Sequence, residues 1–101
     1  MNSPATPCPL SKALLAMLPG ATLSSRKQAG WHSATFSGER VTVELGLTGD
    51  DRHERAARFA ETLPETEFRL RRQLVADILV SNTSEAGDAL LVTVEALLLD
   101  E

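Results

Sequence analysis

The sequence predicts a two-layer α+β domain in the order α-β-β-α-β-β, an antiparallel sheet of two hairpins with one main helix packed on one face. Three observations carry that expectation. Trp31 to Phe36 and Val41 to Leu47 alternate apolar and polar side chains with the period of two that a half-buried strand requires. Arg52 to Leu63 spaces its apolar residues at helical intervals between a capping signal and Pro64. Alternation then returns over Phe68 to Val80 and Ala89 to Leu99.

At 101 residues, 43% hydrophobic and 24% charged, the chain has room for one compact core. Abundant Leu, Val and Ala exclude a disordered or collagen-like chain. With Cys8 as the sole cysteine, an intrachain disulfide and a four-cysteine zinc site are excluded by count, and a reducing cytoplasm is expected. Cys8 lies between Pro7 and Pro9 with no neighbour to lower its pKa, so it reads as an incidental thiol. The apolar run Ala13 to Leu18 falls short of the ~7 to 15 residues of a secretory core. Thr93 and Glu95 interrupt Ala89 to Leu99, itself shorter than the roughly 20 residues of a bilayer span. No targeting or membrane segment is therefore expected. Eight Arg against two Lys, a single Ile and no Tyr fit GC-rich codons and a bacterial source.

Residues 1–9, with Pro4, Pro7 and Pro9, lack periodicity and read as a disordered lead-in to a single domain over 10–101. A short helix from Lys12 to Leu18 follows, with Ser11 as N-cap, Leu10 and Leu15 at the staple positions and Pro19-Gly20 as its stop. Residues 20–30, carrying Arg26 and Lys27, read as a loop. The first hairpin turns at Ser37-Gly38-Glu39-Arg40. That register pairs Phe36 with Val41, Ala34 with Val43 and His32 with Leu45 on one face, with Trp31 on the other. Asp51 to Glu54 has the form of a capping box. The helix after it shows Ala56, Phe59, Ala60 and Leu63 to the sheet, and Glu54 and Arg58 to water. A turn over Asn82 to Asp88 folds the second hairpin, pairing Val80 with Leu90 and Ile78 with Val92.

This arrangement leaves Val75, Leu79, Leu91, Leu97 and Leu99, together with Trp31, on the side away from the main helix. Each contributes roughly 1.5 to 3 kcal/mol when buried, so water is a poor environment for the set. Either the Lys12 to Leu18 helix or a second copy covers it. A helix of that length reaches ~10 Å, while an eleven-residue strand runs to ~36 Å, which favours a homodimer.

The polar residues carry no firm signature. His53 lies beside Asp50, Asp51 and Glu54, a set able in principle to ligate a cation or hold a general base, but N-capping already accounts for the acids. His32 reads as a core-facing histidine. Gly46-Leu-Thr-Gly49 before a helix resembles an anion cradle only superficially, since Asp50 and Asp51 stand where a phosphate would go and no P-loop lysine follows. No serine sits in a nucleophile elbow. Arg52, Arg55, Arg58, Arg69, Arg71 and Arg72 form a basic set, yet the net charge is -4 and Phe36, Phe59 and Phe68 all fall on core faces, so none of the three is free to stack on bases. The expected function is a non-catalytic, homo-oligomeric protein-interaction or structural module without a cofactor. A ligand-binding or enzymatic domain using His32, His53 and Asp50 is the alternative, and nucleic-acid binding through Arg69, Arg71 and Arg72 the third.

Overall fold

The structure, a computed structural model, describes residues 9–101. The lead-in up to Cys8 lies outside the described residues. Helix α1 spans Pro9–Met17, strands β1 and β2 span Thr22–His32 and Ser37–Leu47, and helix α2 spans Arg52–Thr62. A single 3-10 turn at Leu63–Glu65 follows, then β3 at Gln73–Ala86 and β4 at Ala89–Asp100. The four strands form one antiparallel sheet in the order β1-β2-β4-β3, so β2 and β4 occupy its centre.

Helix α1 starts earlier than the capping signal at Ser11 implies. Pro9 fits the first turn, where its missing N–H would have no helical acceptor anyway. Ser11 is buried within the helix, and Leu10, Leu14 and Leu18, one turn apart, point into the core. Of the predicted stripe in α2, Ala56, Phe59 and Leu63 are buried and Ala60 is half-buried, and Pro64 ends the α-helix by imposing the 3-10 turn. The capping box does not form: Asp51 occupies the N-cap position with no hydrogen bond from its side chain. Its backbone, at φ -96° and ψ 15°, is already near-helical, and the Gly49 carbonyl accepts the Arg52 N–H and Arg52 Nη1 instead.

Both helices pack on the same side of the sheet. Leu10, Leu14 and Leu18 from α1 and Ala56, Phe59 and Leu63 from the α2 region join a single core with Val41, Val43, Leu45 and Leu47 of β2 and Leu90, Val92, Val94, Ala96 and Leu98 of β4. The alternation of buried and partly exposed positions along β2 from Arg40 onward and along β4 is the period-two pattern of strands with one face in the core.

Two strand assignments differ from the sequence reading. Residues 22–30, expected as a loop, form most of β1, and the hairpin turns at Ser33 to Phe36 rather than at Ser37 to Arg40. Gln28 therefore pairs with Val41, Arg26 with Val43 and Leu23 with Leu45. His32 pairs with Ser37 and is exposed, so it is no core-facing histidine, and Phe36 is 57% exposed in the turn. As an edge strand exposed along most of its length, β1 is held mainly by its backbone ladder to β2 and carries no apolar alternation. In the second hairpin the strands run on to a two-residue turn at Gly87-Asp88, with Gly87 at φ 61° as a type II′ turn requires. Val80 consequently pairs with Val94 and Ile78 with Ala96, while Glu85 takes the place opposite Leu90. The expected strand start at Phe68 also moves. Phe68 and Leu70 pack on the core from a coil, and Arg72, at φ 65°, turns the chain into β3.

Candidate interaction surface

The side of the sheet opposite the helices is built by the alternate residues of all four strands. Across the end beside the β1–β2 turn, Trp31, Gly38, Leu99 and Leu74 pair in sequence from edge to edge. The next row is Ala29, Arg40, Leu97 and Asp77, and the third is Lys27, Thr42, Glu95 and Leu79. Leu91 lies further along the same side, opposite Gly46 and Ser84.

Trp31, Leu79, Leu91, Leu97 and Leu99 thus stand on this outer face, and Val75 does not. A register irregularity between Val75 and Asp77 makes Ala76 an extra residue, so Val75 pairs with Leu98 on the core side and packs against the core. Leu74 takes its place on the outer face, paired with Leu99 and 53% exposed. Alternation gave no sign of this exchange, because a bulge inverts the assignment of every residue on one side of it.

No helix among the described residues covers the face: α1, the intramolecular candidate, lies in the opposite layer with α2. Leu74 and Leu79 are among the large apolar side chains most exposed, while Trp31, Leu91, Leu97 and Leu99 are half-buried. The Trp31 indole Nε1 is shielded and has no acceptor among the described residues. In the middle of the face a shallow depression of about 140 Å³ lies between Arg40, Thr42, Asp77, Leu79, Glu95 and Leu97. Its shallow shape and mixed lining of charged, polar and apolar side chains differ from the enclosed, largely apolar pocket of a small ligand. A second groove runs between the end of α1 and α2, lined by Met17, Leu18, Arg55 and Phe59. Arg55 Nη2 closes part of it by donating to the Pro19 carbonyl.

The polar residues do not assemble into one site. His32 ends β1 beside the hairpin turn, whereas His53 and Asp50 sit past the far end of β2. Ten residues of strand separate the two ends, roughly 33 Å. Asp50 is exposed, and among the described residues no three His, Cys, Asp or Glu side chains gather as a metal set. His53 instead meets Glu85, near the tip of the second hairpin, its Nε2 hydrogen-bonding Glu85 Oε2, and Arg52 lies 3.6 Å from the same carboxylate. The hydrogen bond to His53 is the main reason the Glu85 carboxyl is held below its ordinary value. This surface contact ties α2 to the hairpin, and nothing in the sequence marked Glu85 as its partner.

Arg69, Arg71 and Arg72 are exposed around the turn into β3, and among the described residues the ion pairs lie elsewhere, at Arg52–Glu85, His53–Glu85 and Arg58–Glu54. The single residue Phe36 is the exposed aromatic ring nearest in kind to a stacking platform, and it stands on the opposite sheet edge from that turn. No helix among the described residues is long and apolar enough to cross a membrane. None of the protein-family models, curated proteins or solved structures compared with the chain matches it.

Proposed function

We propose that the chain is a small bacterial cytoplasmic protein that works without catalysis, as a homodimeric interaction module whose contact surface is the outer face of the sheet. One observation carries the reading. Trp31 of β1, Leu74 and Leu79 of β3, and Leu97 and Leu99 of β4 give the outer face its apolar surface, and both helices are committed to the other layer. Leaving such a set in water forgoes roughly 1.5 to 3 kcal/mol for each large side chain, and a two-fold partner presents the same surface in return. The single cysteine and the Arg-rich composition support the compartment and the source.

The test is the solution mass of the full chain by size-exclusion chromatography with light scattering, over a micromolar concentration series. A mass twice the 10.9 kDa of one chain is expected. Leu79→Glu, which sets a charge on the face without touching the core, is expected to return the mass to that of one chain. A wild-type protein that stays at 10.9 kDa throughout refutes the reading.

A further inference from the structure

The outer face is charged as well as apolar, and its charges are sorted. Lys27 and Arg40 lie on the β1–β2 half, while Asp77 and Glu95 lie on the β3–β4 half, within two adjacent rows. Resting on the reading of this face as a self-association surface, we propose that it binds a second copy about a two-fold axis parallel to the strands and midway between β2 and β4. That axis lays the basic half of each copy on the acidic half of the other.

The geometry follows from the strand spacing of ~4.8 Å. Rotation about such an axis exchanges left and right and keeps each row in its place. Across the ~10 Å between facing sheets, Arg40 is then offset sideways by one strand spacing from Asp77 of the other copy, and Lys27 by the same amount from Glu95, offsets that long Arg and Lys side chains bridge, each contact occurring twice. In the row at the turn end, Trp31 is carried onto Leu74 of the other copy, which supplies an apolar partner for the most exposed leucine of the face. The one acid on the basic half, Glu44, lies a row further on and accepts a hydrogen bond from Ser24 Oγ at 3.1 Å.

Face-to-face arrangements about an axis across the strands lack this complementarity. An axis across the strands through the row of Lys27 and Glu95 sets Lys27 on Lys27 and Glu95 on Glu95. Moved one row, it sets Arg40 on Arg40 and Asp77 on Asp77. Like charges facing each other across an interface are strongly disfavoured, so the sorted charges select the axis along the strands.

The experiment is a charge exchange read by light scattering and analytical ultracentrifugation. Wild type is expected to dimerise. Arg40→Glu and Asp77→Arg, both at exposed positions, are each expected to weaken self-association at least about tenfold, since each creates two repulsive contacts. An equimolar mixture of the two variants is expected to dimerise again, because both contacts in the mixed dimer pair opposite charges. Lys27→Glu with Glu95→Arg repeats the test at the second contact, should circular dichroism show either first variant to be misfolded. A wild-type dimer that both variants leave unchanged, or variants that stay monomeric when mixed, overturns the axis and leaves the self-association reading standing. A monomeric wild type overturns both.

Discussion

Replacing Gly38 with alanine tests the packing at the centre of the sheet. Gly38 lies on β2 between Trp31 of β1 and Leu99 of β4, and it is buried. A Cβ placed there falls on the Leu98 carbonyl oxygen, 3.0 Å from the Leu98 carbonyl carbon and 3.1 Å from Leu99 Cα. All three are main-chain atoms, so no side-chain rotation makes room, and β2 and β4 have to part at this end. Overpacking of this kind costs ~1 to 3 kcal/mol, and a ladder hydrogen bond lost with it a further ~1 kcal/mol. The expected loss is about 3 kcal/mol, or roughly 12 to 24 °C in Tm for a domain of this size. Gly87→Ala is the matched control. Nothing lies within 4 Å of its added carbon, so only the positive φ of 61° opposes the substitution, at ~1 to 2 kcal/mol. Urea and thermal unfolding followed by circular dichroism, at one fixed protein concentration, measure both. A Gly38→Ala protein within about 1 kcal/mol of wild type, or more stable than Gly87→Ala, refutes the close approach of the strands.

Three further outcomes are expected. Leu14→Ala removes a fully buried side chain that seats α1, and should cost ~2 to 5 kcal/mol in urea unfolding while the sheet signal is retained. Arg72→Gly relieves a left-handed backbone at φ 65° and should raise stability by up to about 1 kcal/mol in the same assay. Because hydrogen bonding to His53 lowers the folded pKa of Glu85 from its ordinary 4.5, the contact stabilises the fold above that pH and its contribution is lost as the pH falls through the lowered value. His53→Gln is expected to return the Glu85 carboxyl towards 4.5 in an NMR titration, and an unmoved midpoint would count against the contact.

The layers of this fold were legible because burial imposes periodicity. Val41 to Leu47, Ala56 to Leu63 and Leu90 to Leu98 each bury one side against a common core, and their patterns report it. The edges were not legible. β1 is exposed along most of its length, so Thr22 to Gly30 carries no alternation and reads as a loop, and no pattern marks Ser33 to Phe36 as the hairpin turn. In β3 the bulge near Ala76 displaced Val75 from the outer face and brought Leu74 onto it. The outer surface was recoverable in outline from Trp31, Leu79, Leu91, Leu97 and Leu99, which lie on strands of regular register or between bulges. Its charge sorting depends on the strand order and on Lys27 and Arg40 belonging to paired strands, which only tertiary structure reveals.

The irregularities of β3 bear on how concentrated solutions of this protein behave. The free edge of that strand is longer than the free edge of β1, and an open strand edge is a template on which a neighbouring chain can pair. Its bulges divide that edge into Gln73–Val75, Asp77–Val80 and Asn82–Ala86, each too short to seed a continuous ladder. On the opposite edge the bulge after Leu23 leaves Ser25 to His32 in regular register, and the charges of Arg26 and Lys27 there oppose pairing with another chain. Growth sideways is blocked at both margins, so the protein is expected to remain a discrete particle on storage, without thioflavin-positive fibrils.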